Sequence, residues 1–159
     1  HKRVLFPVRD NQNNLLGAIG RTILPDYKPR YLEYFDFDKS KVLFGEQLVR
    51  PGGVAVIVEG IISAVVADQI LREHPSGYSV VAIMGSKISK AQVQRVLAFA
   101  SEVVLCLDND SAGREGTKLA RELFRRNVVT RVADMQVEGA DPATCENLVE
   151  VVDNASLAF

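Results

Sequence analysis

Hydrophobic residues in the second part of the chain follow two alternating patterns, short continuous runs and longer stripes with a period of roughly 3.6 residues. A short apolar run bounded by turn residues is typical of a buried strand, and a stripe is typical of an amphipathic helix. The alternation begins after Gly52 and Gly53, which mark a boundary in the chain. It predicts βα units arranged around a parallel sheet.

The positions of the runs and stripes predict the individual elements. Buried strands are predicted at 54–58, 79–84, 103–107 and 128–135. Helices are predicted at 61–73, from a capping box at Ser89 and Gln92 onward, and at roughly 112–126, with a closing helix or turn at 141–149. The stripe predicted to face the sheet on the third helix comprises Gly116, Leu119, Ala120, Leu123 and Phe124. We therefore expect an α/β fold with about four strands, mainly parallel, flanked by helices.

The first third of the chain has a different pattern. Apolar runs at 4–8 and 15–24 flank a polar stretch at 10–14, which predicts a β-hairpin with a long loop. The segment 25–50 has no clean period, so we expect it to be mostly irregular. These patterns divide the chain into a small N-terminal part at 1–50 and an α/β domain at 51–159.

The composition indicates the class of protein but does not identify a function. The 159 residues are 47% hydrophobic and 25% charged, which indicates a globular domain rather than a disordered one. A net charge of -1 gives no general support for nucleic-acid binding, which must then depend on local basic patches.

The cysteines and the hydropathy of the chain indicate in which cellular compartment the protein is expected. Cys106 and Cys145 lack the spacing of zinc ligands or of a disulfide framework, which favours a reducing, cytoplasmic setting without zinc in this segment. No apolar run approaches the roughly 18 residues of a membrane helix, and no leader opens the chain, so no membrane association is expected. The first residue is His1, which we interpret as the start of a piece of a longer polypeptide.

Three acidic residues directly follow predicted strands. Glu59 follows the run at 54–58, and Asp108 and Asp110 follow the run at 103–107. Each acid alone could equally well cap the following helix, but the carboxyl ends of parallel strands share one edge, where ligands bind. Clustered carboxylates repel and lose hydration, and Mg²⁺ relieves both effects by binding one or two of them together with substrate phosphates. The pattern therefore predicts a Mg²⁺ or Mn²⁺ site for phosphoryl transfer.

These elements resemble a known family. Glu59-Gly60 after one strand and the segment 108–113, Asp-Asn-Asp-Ser-Ala-Gly, after another are similar to the two motifs of the Toprim fold, which primases, topoisomerases and some nucleases share. The segments at 4–10, 17–21 and 29–32 resemble the basic element ahead of the Toprim domain in bacterial and phage DnaG-type DNA primases. Topoisomerases lack that neighbour. The resemblance covers nearly the whole chain and implies magnesium-dependent synthesis of short RNA primers on single-stranded DNA from ribonucleoside triphosphates.

The resemblance also implies roles for single residues. Glu59 would be the catalytic acid or a metal ligand, Asp108 and Asp110 metal ligands, and Asp141 a further acid near the site. Residues expected to bind nucleic acid or nucleotide are Arg9, Arg21, Lys28, Arg30, Tyr31 and Lys87. Among these, basic side chains can hold phosphates and Tyr31 can stack on a base. Related primases carry a zinc-binding element and a helicase-contact region on neighbouring segments, so a replicative helicase is expected to bind outside this chain.

The chain departs from the family pattern at four positions. Ser63 stands where an Asp usually follows the motif Glu by four residues, so one auxiliary acid is missing. Glu138 replaces an Asp, Arg30 replaces a Lys, and Glu33 replaces an Asn.

Two alternatives to primer synthesis remain open from the sequence. A Toprim nuclease or topoisomerase fragment would use the same acids to cut strands instead of joining nucleotides. A non-catalytic nucleic-acid-binding module is the other alternative, because the chain lacks the acid that Ser63 replaces.

Overall fold

The computed structural model describes residues 2–158, which form two β-sheets and four α-helices. The strands are β1 (Arg3–Arg9), β2 (Leu15–Thr22), β3 (Tyr31–Tyr34), β4 (Val54–Val58), β5 (Tyr78–Ala82), β6 (Glu102–Leu105), β7 (Val129–Val132) and β8 (Ser156–Leu157). The helices are α1 (Ile61–Leu71), α2 (Lys90–Leu97), α3 (Ser111–Phe124) and α4 (Leu148–Asp153). Within residues 2–158, no helix has the length and apolar character needed to cross a membrane.

The larger sheet has five strands in the order β5-β4-β6-β7-β8. Strands β4 to β7 are parallel to their neighbours, and β8 pairs antiparallel with β7 at one edge. The four predicted strands are confirmed, and β8 was missed because a strand of two residues has no readable hydrophobic period. The α/β fold with a mainly parallel sheet is therefore confirmed, with one strand more than expected.

Successive residues of the central strands pack on opposite faces of this sheet. Ile57 and Leu105 pack with helices α2 and α3, whereas Val56 and Val104 pack with α1 and α4. Burial on both faces explains why these strands are continuous apolar runs rather than alternating ones. Their carboxyl ends are consequently the part of the sheet that remains open to a ligand.

The smaller sheet is antiparallel, in the order β1-β2-β3. The predicted hairpin of β1 and β2 is confirmed. Residues 25–50 are mostly irregular, as expected, but they include the strand β3, which pairs with β2 and was not predicted. Leu32 in β3 is exposed, so this strand has no buried face that a hydrophobic pattern could reveal. Its pairing is a tertiary contact.

Two smaller expectations were wrong, and a third was met in part. Helix α1 ends at Leu71 rather than at 73, because the chain turns there ahead of Pro75. Leu119 is 40% exposed and does not belong to the buried stripe of α3, since its position falls at the edge of that stripe. The predicted closing helix or turn at 141–149 is a turn, in which Asp141 accepts from the backbone N–H of Thr144, followed by helix α4 at Leu148–Asp153.

A small apolar cluster joins the two sheets. Val8 and Ile19 of the hairpin pack with Val42 and with Ile61, the first residue of α1. Since Ile61 directly follows the open edge of the large sheet, this contact places β3 and the turn at 39–41 beside that edge.

Gln92 fixes the turn at 39–41 from the opposite side. Its side chain is 1% exposed, and its amide nitrogen lies 3.0, 2.9 and 2.9 Å from the carbonyl oxygens of Lys39, Val42 and Ile83. Its Oε1 accepts from the backbone N–H of Ser89 and completes the predicted capping box of α2. One buried amide therefore connects α2, β5 and the N-terminal part of the chain.

We expect Gln92→Leu to lower the free energy of unfolding by about 1–3 kcal/mol, because it leaves buried carbonyl groups without a donor. Urea unfolding followed by circular dichroism measures the change. Gln94→Leu, at an exposed position of the same helix, is the matched control and should change stability by less than about 0.5 kcal/mol. Equal midpoints for the two variants would contradict the anchoring role of Gln92.

Candidate active site

The acidic residues predicted from the sequence lie at the open edge of the large sheet. Strands β4 and β6 are adjacent and parallel, with Ile57 paired to Leu105. Glu59 and Asp108, which follow these strands, both line one cavity of about 290 Å³. We call it the acid cavity; its lining residues are Ile19, Tyr31, Glu33, Lys39, Glu59, Gly60, Ile61, Met84, Gly85, Ser86 and Asp108.

A glycine allows α3 to approach this edge closely. A Cβ at Gly113 would lie 1.9 Å from the carbonyl oxygen of Asp108 and 2.8 Å from Oε1 of Glu59. Asp110 is the N-cap of the helix, and its Oδ1 accepts the backbone N–H of Gly113 at 2.8 Å. The spacing of the motif at 108–113 therefore lets the helix begin directly against the two carboxylates.

The acid cavity contains carboxylate oxygens without hydrogen-bond donors. Oε1 of Glu59 and Oδ1 of Asp108 are buried, and neither has a partner among the described residues. Buried polar atoms are normally paired, and buried carboxylates usually have a cation or bind a metal. Hard oxygen ligands of this kind suit Mg²⁺ or Mn²⁺, so these two residues fit a divalent cation.

The surroundings disfavour the charged form of both acids. Burial raises the pKa of Glu59 to about 7, with further increases from the charges of Asp108 and Asp110. Burial likewise raises the pKa of Asp108 to about 6, and Asp141 and Asp110 add to the effect. Acids with raised pKa values in a cavity are common at functional sites.

These pKa values predict how stability depends on pH when divalent ions are chelated. As the pH rises from 4.5 towards 7, the unfolded chain loses the Glu59 proton while the folded chain retains it. The free energy of unfolding should therefore fall over this interval, and the contribution is fully lost above about pH 7. Glu59→Gln should reduce this decline. Urea unfolding in EDTA at several pH values tests the prediction, and parallel curves for the two proteins would contradict it.

The other two predicted acids lie near the cavity but have local hydrogen bonds. Oδ1 of Asp110 caps α3, and Oδ1 of Asp141 accepts the backbone N–H groups of Ala143 and Thr144. Within residues 2–158, no group of three or more His, Cys, Asp or Glu side chains is arranged to hold one ion. This arrangement is compatible with Mg²⁺, which usually takes one or two protein carboxylates and receives its other ligands from phosphates and water.

The loop that carries Asp108 is tied to the loop before Asp141. Asn109 donates its backbone N–H to the carbonyl of Ala140 at 2.8 Å and accepts from Gly139 at 2.7 Å. Glu138 forms a two-bonded ion pair with Arg114, at 2.7 and 3.1 Å. Glu138, one of the departures from the family pattern, therefore contacts an arginine of α3 and does not line the acid cavity.

The predicted basic residues occupy several places. Arg21, Lys28 and Arg30 line a groove of about 660 Å³, which we call the basic groove; its other lining residues are Val4, Phe6, Thr22, Ile23, Leu24, Pro25, Tyr27 and Ile62. Although larger than the acid cavity, it contains no carboxylate. The groove therefore lacks the acids expected of a metal centre.

The remaining three predicted binding residues are dispersed. Tyr31 lines the acid cavity. Lys87 lines an adjoining cavity of about 380 Å³ and lies 3.3 Å from Glu115. Arg9 lies at the opposite end of β1 from the basic groove, where its guanidinium donates to the carbonyl of Asn13 at 2.9 Å.

One residue of the acid cavity was missed from the sequence. Lys39 lies in the turn held by Gln92, and its Nζ is 2.6 Å from Oε1 of Glu33. It stands in a segment without hydrophobic period, so no pattern placed it near Glu59. Only the contact between that segment and α2 brings it to the cavity.

Comparisons with known proteins agree with this geometry. The Toprim-like family matches residues 56–145, which include both motifs. A DNA primase of Enterococcus faecalis is 31% identical over 140 residues, which cover 80% of this chain and 21% of that protein. The chain thus spans about a fifth of the length of this curated relative.

Solved structures cover the chain more completely. The Aquifex aeolicus primase, with zinc-binding and RNA polymerase domains, superposes with a TM-score of 0.79 at 26% identity, covering 98% of this chain and 41% of that one. A DnaG primase catalytic domain bound to single-stranded DNA gives a TM-score of 0.80 at 25% identity, covering 99% and 53%. The chain therefore belongs to the Toprim-like family, and its Toprim domain is of the DnaG primase type.

Proposed function

We propose that this chain forms the nucleotidyl-transfer centre of a DNA primase that synthesises short RNA primers on single-stranded DNA during replication. The observation that carries the proposal is the pair of buried, unpartnered carboxylate oxygens of Glu59 and Asp108 in the acid cavity. A ligand that brings a divalent cation and phosphates would supply the missing partners of both atoms.

Each acid has a distinct part in this proposal. Glu59 and Asp108 would hold Mg²⁺ or Mn²⁺, with Asp110 and Asp141 close enough to strengthen the negative potential. The chemistry supplied by such a cation is neutralisation of the triphosphate and activation of the attacking 3′-hydroxyl. Binding of a cation would favour the charged form of Glu59, whose pKa burial raises to about 7 in the metal-free site.

The basic side chains would position the substrates. Lys39 would contact the phosphates of a ribonucleoside triphosphate in the acid cavity, and Tyr31 would stack on a base there. Arg21, Lys28 and Arg30 would hold the template backbone along the basic groove. Positioning and charge neutralisation account for most of the catalysis of phosphoryl transfer.

The same arrangement supports the separate roles that the sequence predicts for the two parts of the chain. Residues 1–50 would form part of a basic template-binding subdomain, and residues 51–159 the Toprim domain that carries the acids. The replicative helicase would bind a region outside this chain, and the enzyme would act in the cytoplasm, with Arg9 and Lys87 as outer contacts to nucleic acid.

A Toprim nuclease or topoisomerase would use the same acids for strand cleavage. A basic groove could hold the strand in either reaction. The similarity to primase catalytic domains favours synthesis over cleavage.

The proposal is tested by incubating the chain with single-stranded DNA and Mg²⁺, with the label on the DNA in one reaction and on the ribonucleoside triphosphates in another. Short labelled RNA products that form only when single-stranded DNA is present support primer synthesis. Shortened strands without nucleotides indicate a nuclease. No products together with no divalent-ion binding by calorimetry indicate a non-catalytic binding module.

A further inference from the structure

The acid cavity contains an ion pair of its own. Oε1 of Glu33 on β3 lies 2.6 Å from Nζ of Lys39, and both side chains also line the cavity of Glu59 and Asp108. Among its described lining residues, Lys39 is the only cation and faces three carboxylates. The one positive charge in the lining of the acid cavity is therefore already engaged, and Lys87 in the adjoining cavity is paired with Glu115.

Glu33 can release Lys39 at a modest cost, which a ligand that needs Lys39 must meet. The two side chains are 49% and 39% exposed, and an exposed ion pair is weak because water screens it. The backbone of Lys39 is fixed, since its carbonyl accepts from the buried amide of Gln92. An ammonium group on a fixed backbone can exchange partners by side-chain rotation alone.

The charge of the incoming ligand decides whether this exchange occurs. A triphosphate without a divalent cation brings several negative charges to a cavity with three acids, and it must take Lys39 from Glu33. A triphosphate that carries a divalent cation is largely neutralised and depends much less on Lys39. The ion pair of Lys39 with Glu33 therefore weakens binding of a metal-free triphosphate more than binding of a metal-bound one.

We propose that Glu33 is a positioning residue that makes the acid cavity selective for metal-bound nucleoside triphosphates by holding Lys39. This inference rests on the proposed function, because it requires that the cavity bind a triphosphate. Glu33 is one of the positions at which the chain departs from the family pattern. A neutral Asn at this position would not compete with a phosphate for Lys39.

The test measures dissociation constants of ATP by calorimetry, in excess Mg²⁺ and in EDTA, for the wild-type chain and Glu33→Gln. We expect Glu33→Gln to bind metal-free ATP about fivefold more tightly, the effect of releasing one nearby charge pair. In Mg²⁺ the gain should be less than about twofold. An equal gain in both conditions, or none, would overturn the proposal.

Further variants separate action through Lys39 from a general charge effect. In the background of Lys39→Gln, Glu33→Gln should strengthen binding of metal-free ATP by less than about twofold, because only the direct repulsion between Glu33 and the phosphates is then removed. Glu33→Asp should restore the wild-type preference for Mg²⁺. A persistent fivefold gain in the double variant would contradict the role of Lys39.

Glu122→Gln is the matched control. Glu122 also forms an exposed ion pair, at 2.9 Å with Arg125, but it does not line the acid cavity. Its substitution changes the net charge equally and should leave both dissociation constants unchanged. If the wild-type chain binds no ATP even with Mg²⁺, the proposed function fails; if it does bind but Glu33→Gln has no effect, only the role of Glu33 fails.

Discussion

Asp108→Asn should lower the rate of magnesium-dependent primer synthesis by at least about a hundredfold. The substitution keeps the shape of the side chain and removes the charge from a buried oxygen that has no partner among the described residues. Extension of a labelled primer on single-stranded DNA measures the rate. We also expect Mg²⁺ to raise the melting temperature of the wild-type chain and not that of the variant, because a ligand stabilises only the state that binds it.

The stability of this variant distinguishes a functional role from a structural one. Burial and the charges of Asp141 and Asp110 raise the pKa of Asp108 to about 6, so its charge is unfavourable in the folded state at neutral pH. In EDTA at pH 7.5, Asp108→Asn should therefore be as stable as the wild type or more stable. Lower stability together with lost activity would show that Asp108 supports the fold instead.

Asp134→Asn is the matched control for this experiment. Asp134 follows β7 as Asp108 follows β6, but it is exposed, and its Oδ1 accepts from the backbone of Gln136. An Asn side chain can accept the same hydrogen bond. Primer synthesis should continue at the wild-type rate, and a loss comparable to that of Asp108→Asn would argue against a specific centre.

Gly113→Ala should reduce both activity and stability. The added Cβ would lie 1.9 Å from the carbonyl oxygen of Asp108 and 2.8 Å from Oε1 of Glu59, so backbone atoms must move. Overpacking of this kind costs about 1–3 kcal/mol of the free energy of unfolding. Since small displacements of catalytic groups are costly, we expect primer synthesis to fall at least about tenfold.

Urea unfolding and primer extension measure the two effects of Gly113→Ala. The control is Lys118→Ala, an exposed position on the same helix, which also introduces alanine but meets no backbone. It should leave stability within about 0.5 kcal/mol of the wild type. Wild-type stability and activity in Gly113→Ala would show that α3 can move away from the two acids without consequence.

Several features of the molecule were determined by the sequence alone. Each central strand is buried on both faces and therefore appears as a continuous apolar run, which identified β4 and β6. Because parallel strands end at one edge, the positions of Glu59 and Asp108 in the chain sufficed to predict that they meet. The capping box of α2 was likewise readable, since its two residues are local neighbours.

Other features depend on contacts between distant parts of the chain. Strand β3 is partly exposed and is defined by its pairing with β2, and Lys39 reaches the acid cavity because Gln92, far along the chain, holds its backbone. Whether a carboxylate oxygen accepts a local hydrogen bond, as in Asp110, or remains unpartnered, as in Asp108, depends on packing around it. The hydrophobic pattern of the sequence located the strands, and the strand ends identified the acids that could form a site. Only the tertiary structure decided which of these carboxylates lack hydrogen-bond partners, because burial and contacts between distant residues cannot be read from the local sequence pattern.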